Sequence, residues 1–542
     1  MATFQRERAL ESMASSTYDV VVVGAGMTGA GVALDAASRG LRVALIDSGD
    51  VASGTSSKSS KMVHGGLRYL QQKEFRLVYE NLRERQRLLD NAPFLVRPLP
   101  FLVPLFGKSG VVSKALVKGY STALRIYDLS GGWRIGQRHR KITRDQALAH
   151  LPTLKVDRLV AGFLYFDARG DDARVALALA KTAALDFGVD VATYVRCVDV
   201  RHDATGRVIA VLGHDLHADR PLTLTTTTVV NATGVWADEV FTMAEHTPSH
   251  RITPAKGIHL SVARDRLPAD VAAVLNVPHD RRSIFVVPFE EADFTYIGTT
   301  DTAYDGDRDE PFCTPDDVAY LLAAVNASTS SNLTTSDVTG IWAGLRPLLA
   351  PVDGKAVSER TADLSRRHQV TDTRDGVIHV TGGKWTTYRQ MAEDAVDALG
   401  TYLSDLQRVR TKHLRLHGVG PWRPSTDLEI HLYRRFGEDA LALLDMIAAD
   451  GDLARCPIDG LPYVAAEFLF AARFEMATSL IDLLTRRTRA HLQDARATLE
   501  GAARVASLVA EELGWSDEDV QRELIAYESL VRREFGAAGL TL

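Results

Sequence analysis

The sequence predicts an α/β chain of two or three domains, and three observations carry that prediction. Four consecutive valines, Val20 to Val23, run into a glycine turn, a helix and a second short apolar strand. Ile252 to Thr302 alternates apolar and polar residues as antiparallel strands do. Beyond about residue 400 the composition shifts to helix formers. At 542 residues the chain is also too long for one core.

The first element is the most specific. Gly24, Gly26 and Gly29 follow the valines at G-x-G-x-x-G spacing. The first glycine allows the tight turn out of the strand, the second lets backbone approach a pyrophosphate, and the third lets the helix pack close to the sheet. The helix extends to about Arg39, with Gly40 as its stop. The strand Arg42 to Ile46 then ends in Asp47, where an acid accepts hydrogen bonds from an adenosine ribose. Strand, turn, helix, strand and acid in that order predict a dinucleotide site on a helix N-terminus. They do not distinguish FAD from NAD.

Composition narrows the class. Hydrophobic residues at 46% and charged residues at 24% are ordinary globular values. A net charge of −6 argues against a nucleic-acid partner. The three cysteines, Cys197, Cys313 and Cys456, are far apart and predict neither a metal cluster nor a disulfide framework, so no metal is expected. Residues 1–17 hold no apolar core of signal-peptide length, and the uncharged stretches are too short or too polar to span a bilayer. The expected location is cytoplasmic or the cytosolic face of a membrane.

The serine-rich run Ser53 to Ser60, beside the expected dinucleotide, offers hydroxyls for phosphate oxygens or for capping a helix. His64, Gly65, Gly66, Leu67, Arg68 and Tyr69 put an imidazole, two glycines and a guanidinium on adjoining positions, with Arg68 a planar fork for an anion. Phe75 to Leu89 is helical in pattern. Asn91 to Gly132 combines a proline-broken apolar piece, expected as a core strand pair, with a basic helix, Lys108 to Arg125. That helix reads as a solvated face; a lipid-facing patch of Lys114, Lys118 and Arg125 is the sharper alternative, but the segment lacks evident exposed aromatics. A helix at Ala173 to Phe187 and a strand at Val189 to Tyr194 follow. Valines before Asn231, Ala232, Thr233 and Gly234 then suggest a strand returning to the first sheet. That discontinuous return favours a two-dinucleotide FAD fold over a simple NAD domain. His259 and Lys256 lie in the alternating block. Arg346 stands before a proline on an extended segment, Arg366 and Arg367 follow, and Gly382-Gly383-Lys384 turns from a strand into a helix opening near Thr386 or Thr387. C-terminal helices are expected at Ile430 to Ala448, Ala465 to Glu475 and Ala495 to Glu512.

These residues resemble the FAD-dependent, quinone-linked glycerol-3-phosphate dehydrogenases, a branch of the D-amino-acid-oxidase-like flavoproteins. One family signature is matched at Gly31, Ala33, Asp35, Arg39 and Gly40, and a second at Gly382, Gly383, Lys384, Tyr388, Arg389 and Ala392. K-G-x-H at Lys256 to His259 and I-G-T-T-D-T at Ile297 to Thr302 also match, and the likeness spans Tyr18 to about Leu508. Ala25 and Val235 depart from the family's usual glycine and proline.

The resemblance implies an α/β (α+β overall) fold: a two-dinucleotide FAD-binding Rossmann-like domain with an antiparallel substrate-binding sheet and a C-terminal helical domain. The expected boundaries are 18–90, 160–250 and 338–400 for the discontinuous FAD domain, 91–159 and 251–337 for the substrate domain, and 401–542 for the helices. It implies oxidation of sn-glycerol 3-phosphate to dihydroxyacetone phosphate, with FAD held by Gly24, Gly26, Met27, Gly29, Asp47, Ser53, Ser57, His64, Gly65, Ala232, Gly234, Gly383, Lys384 and Thr386. His259 is the expected base and His64 the second candidate, with Arg346 and Lys384 also at the chemistry. Arg68, Tyr69, His259, Arg346, Arg366 and Lys384 would bind substrate. A membrane quinone is the expected acceptor, the protein being peripherally attached to the inner face of the cell membrane and a homodimer remaining open. An oxidase of the same fold, giving peroxide from oxygen, and a non-catalytic flavin module are the alternatives.

Overall fold

The computed structural model describes residues 4–67, 74–107, 113–247, 249–278, 280, 282–350 and 367–542. Arg68, Tyr69 and Arg366 lie outside them. The valine strand Val20–Val23 is buried throughout and sits inside a six-stranded sheet. On one side it pairs in parallel with Val43–Ile46, which pairs with Asp190–Ala192. On the other it pairs with Val229–Asn231, then Val377–Gly382, and His368–Asp372 closes the edge antiparallel. Both faces of a parallel sheet must be covered, which explains why its strands are nearly continuous in apolar residues. The return of residues 229–231 and 377–382 to the first strand is the discontinuous arrangement expected of the two-dinucleotide fold.

A ten-stranded mixed sheet stands beside it. Val96–Phe106 pairs antiparallel with Leu159–Gly170 over most of its length. The expected strand pair is therefore one long strand; Pro98, Pro100 and Pro104 fall at alternate positions and punctuate the sequence without ending it. Ile252–Ala263 pairs with both Phe294–Gly298 and Val338–Leu349. Leu159–Gly170 and Val338–Leu349 thus both belong to this sheet, and the described strands that follow them in sequence, Asp190–Ala192 and His368–Asp372, belong to the dinucleotide sheet.

The first and second signatures meet in space. A Cβ at Gly31 would lie 2.6 Å from the Tyr388 ring, so the missing side chain lets the helix Tyr388–Leu399 pack on Met27–Ser38. Asp35 and Arg39 form a buried pair at 2.7 Å. Arg389 binds Glu84 at 2.6 Å, fastening that same helix to Phe75–Asn91. These signature residues build the cofactor domain.

The C-terminal helices are Asp427–Phe436, Ala440–Ala449, Ala465–Phe474, Ala495–Leu513 and Asp517–Ala537, with shorter turns between. The single helix expected over Ile430 to Ala448 breaks at Gly437, whose φ is +62°. This unit is tied to the dinucleotide sheet by a buried fork: Arg487 donates from Nη1 and Nη2 to the two oxygens of Asp50 at 2.6 and 2.7 Å, and Arg486 adds a third contact at 2.6 Å. Burial pushes the Asp50 carboxyl up, but Arg487 and Arg486 outweigh it and hold it below the usual range. Removing Arg487 takes the bidentate partner from buried Asp50 and leaves it the single Arg486 contact. Arg487→Met is therefore expected to lower stability by roughly 3–5 kcal/mol, read as a fall in the urea midpoint. An unchanged midpoint would mean that Arg486 alone neutralises Asp50.

Candidate active site

The dinucleotide cradle is built by absence of side chains. Gly24 has φ +105°, and a Cβ there would lie 2.7 Å from the Ala232 carbonyl oxygen. A Cβ at Gly29 would overlap the Gly24 carbonyl. Gly26 caps the helix Met27–Ser38 with no side-chain cap of its own, so no cap side chain covers the helix start where an anion would approach. The Met27 N–H donates to Ser56 Oγ at 2.8 Å, which brings the serine run over the turn. Asp47 accepts from the Ala25 N–H at 2.6 Å and the Gly49 N–H at 2.8 Å, one to each oxygen, and stays half-buried. Each oxygen keeps a further lone pair for a ribose hydroxyl. This donor set and cradle fit the ADP part of FAD.

Burial raises the Asp47 carboxyl to about 6, against the lowering effect of the Gly49 and Ala25 N–H groups. The acceptor form is the carboxylate, which is lost as pH falls through that value. Association of FAD with apoprotein is accordingly expected to weaken between pH 7 and 5, and Asp47→Asn to bind more weakly with little pH dependence. Flavin fluorescence after rapid filtration measures both; a flat wild-type profile would remove Asp47 from ribose binding.

The remaining cofactor candidates separate by geometry. Ala232 is buried beside Gly24 and donates its N–H to the Val23 carbonyl at 2.9 Å. Gly234 and Gly383 have φ of +63° and +77°, and Thr386 is buried at the start of the next helix. A Cβ at Gly383 would meet Met391 Sδ at 2.5 Å. Ser53 abuts Gly49: a Cβ there would lie 2.7 Å from its hydroxyl. Ser57 is buried, with its hydroxyl turned to the Gly54 carbonyl at 3.4 Å. Gly65 is engaged by protein on both sides: its N–H donates to Tyr127 Oη at 2.9 Å, and its carbonyl accepts from Asn81 at 3.0 Å. His64 is half-buried before it.

A second cluster lies where Val338–Leu349 crosses the serine turn. Thr55 donates to the Leu345 carbonyl at 2.6 Å, and a Cβ at Gly344 would lie 2.7 Å from the Lys58 carbonyl. This close approach carries Arg346 to the cradle. Arg346 donates to Asp301 at 3.2 Å, Thr299 Oγ1 at 3.1 Å and the Thr300 carbonyl at 3.1 Å, so the I-G-T-T-D-T motif aims it. Gly257 leaves room for it: a Cβ there would overlap the guanidinium.

His259, 2% exposed, stacks on Trp342 with centroids 4.7 Å apart and planes 9° apart. Its Nε2 shares a proton with Ser60 Oγ at 2.7 Å, while Nδ1 is buried without a hydrogen-bond partner. Burial first, then the Lys61 and Arg346 charges, hold the ring well below its ordinary value of 6.5. These influences favour the neutral imidazole, which keeps one nitrogen lone pair as a hydrogen-bond acceptor. Half-buried Ser60 marks the reachable edge of the ring. Ser56, Ser60 and Trp342 were not singled out from sequence; the hydroxyl run signalled the serines, but nothing local signalled the tryptophan. Lys384 opens the turn into the helix whose first residues are Trp385 to Thr387.

Residues 19–397 match the family profile described as FAD dependent oxidoreductase, and residues 378–520 that of the C-terminal domain of alpha-glycerophosphate oxidase. The chain is 38% identical to glycerol-3-phosphate dehydrogenase 2 of Mycobacterium tuberculosis, over 98% of its own length and 91% of the relative's. It is 32% identical to the human mitochondrial glycerol-3-phosphate dehydrogenase over 96% and 74%. The FAD complex of the Bacillus halodurans glycerol-3-phosphate dehydrogenase superposes with a TM-score of 0.77 at 28% identity, covering 98% of each chain. An L-alpha-glycerophosphate oxidase from Mycoplasma pneumoniae, at 17% identity and a TM-score of 0.57, shares the fold.

Proposed function

The chain belongs to the FAD-dependent glycerol-3-phosphate dehydrogenase family, and from that premise we propose that it oxidises sn-glycerol 3-phosphate to dihydroxyacetone phosphate and delivers the electrons to a membrane quinone. The observation that carries this reading is a neutral, buried imidazole and an aimed guanidinium brought together beside the dinucleotide cradle. FAD held in the cradle would supply the hydride acceptor for C2 of the alcohol. The chain's own residues do the rest. His259 takes the C2 hydroxyl proton at the ring edge now shared with Ser60, raising the electron density that releases the hydride. Arg346 grips the phosphate, held in place by Asp301, Thr299 and Thr300. Lys384, at a strand-to-helix turn, offsets negative charge developing at the reacting centre. Arg68, Tyr69 and Arg366 are proposed as further substrate contacts, and His64 as the reserve candidate for the base.

A surface patch supports the quinone. Phe75 and Tyr79 on one helix, Leu129 on the basic helix Lys114–Leu129, and Trp133 just after it are 52%, 47%, 82% and 56% exposed. The Arg134 guanidinium, in the short turn Gly132–Ile135 after the basic helix, sits 5.3 Å over the Tyr79 ring. Lys114, Lys118 and Arg125 are exposed on the basic helix. Exposed apolar side chains at the end of an exposed basic helix suit the interface of an anionic bilayer. No helix among the described residues is long and apolar enough to cross a membrane. Turnover of glycerol 3-phosphate with a quinone analogue, compared with oxygen and a peroxide assay, tests the acceptor; fast peroxide formation with no quinone stimulation establishes the oxidase instead. Trp133→Ser combined with Leu129→Ser should reduce binding to anionic phospholipid vesicles at least several-fold, with salt releasing part of the remainder. Unchanged sedimentation with vesicles would remove this patch from the proposal.

A further inference from the structure

A separate cavity of about 100 Å³ lies between the ten-stranded sheet and the C-terminal helices. His259, Arg346 and Lys384 are not among its lining residues. Three guanidiniums surround one carboxylate in its wall: Glu290 lies 2.8 Å from Arg97, 3.8 Å from Arg169 and 3.7 Å from Arg434. Arg97 Nε and Nη1 are buried without a hydrogen-bond partner. Gln493, 3% exposed, lines the same space with an unpartnered amide oxygen, and an amide can present either end. The other acids do not redress the imbalance. Asp171 is taken by Arg489 at 2.6 Å, and Glu291, which faces Arg97 at 3.7 Å, is shared with His431 at 3.5 Å.

Unpaired buried donors in native proteins call for a partner. Water has room here, since its share of liquid volume is about 30 Å³, but water leaves the excess cation charge uncompensated. A tetrahedral oxyanion answers both needs, because guanidiniums match its oxygens in charge and geometry. We propose that this cavity is a binding site for a free oxyanion of the size of inorganic phosphate, distinct from the substrate site. Tyr296 joins the two: its ring lines the cavity, its hydroxyl donates to the Ser60 carbonyl at 3.0 Å, and Ser60 Oγ meets His259. An occupied cavity therefore backs the wall that holds the imidazole.

Calorimetric titration of the holoenzyme with inorganic phosphate tests this. Two binding events per chain are expected, because phosphate also fits the Arg346 pocket. Arg346→Ala should abolish one event and leave the other. Arg97→Gln and Arg434→Gln should each weaken that other event at least ten-fold and spare the first. Arg434 is about one-third exposed at the rim, so Arg434→Gln decides the matter if Arg97→Gln does not fold. A single event that Arg346→Ala abolishes, or a second event unmoved by Arg434→Gln, overturns the site. A single event that Arg434→Gln weakens and Arg346→Ala spares would count against the substrate assignment and leave this site standing.

Discussion

His259→Asn is expected to lower kcat by on the order of 10²–10⁴, the range for losing a positioned general base. The substitution keeps a polar side chain beside Ser60 but removes the basic nitrogen. His64→Asn should have a much smaller effect; the reverse ranking would transfer the base to His64. The pH dependence adds an independent check. Burial, Lys61 and Arg346 all disfavour the imidazolium, so the neutral form persists as pH falls through 6.5. The acid limb of kcat at saturating glycerol 3-phosphate should accordingly lie well below 6.5. Backbone geometry supplies a second route to the same loss. His259 faces Gly298 across the sheet, and a Cβ at Gly298 would overlap its ring. Gly298→Ala should thus expel the imidazole and reproduce much of the His259→Asn defect while FAD is retained. Full activity in Gly298→Ala would show that the ring can move without consequence, which a base in fixed geometry cannot.

Sequence reading reached what is local. Val20–Val23, the glycine turn and Asp47 act within a single βαβ unit, so their spacing alone described the cradle. The pocket around His259 was less legible because its walls come from distant segments. Trp342 and Tyr296 meet the ring through pairing of residues 252–263 with 338–349 and 294–298, and Ser60 reaches it from the end of the serine run. The family likeness pointed to His259 and Arg346; it said nothing of why they are held. That reason lies in Gly257 and Gly298, whose missing side chains make the space. The exposed apolar patch was hidden for the same cause. A window over Lys108 to Arg125 contains the basic residues, whereas the aromatics stand at Phe75, Tyr79 and Trp133. The break at Gly437 and the helix Arg6–Ser15, whose Arg6 binds Asp215, were also missed, since neither follows from periodicity.

Arg346→Ala is expected to cost about 3 kcal/mol in kcat/KM, or roughly 150-fold, as for truncation of one partner in a desolvated charge pair. A phosphate monoester carries close to two negative charges at neutral pH, and a planar guanidinium can grip two of its oxygens. In the structure Arg346 already donates to Asp301, Thr299 and the Thr300 carbonyl, which fix the plane of the fork. Lysine keeps the charge but cannot hold three partners in one plane, so Arg346→Lys should recover only a small part of the loss. Gly257→Ala should resemble it, because a Cβ there would displace the guanidinium and leave its charge present. The defect must follow the phosphate: FAD content should be normal, and the slow oxidation of glycerol far less affected. Arg346 also helps hold the His259 ring neutral, so its removal should move the acid limb of kcat upward toward 6.5. Equal losses with glycerol and glycerol 3-phosphate, with that limb unmoved, would place Arg346 in maintenance of the fold and withdraw it from phosphate binding.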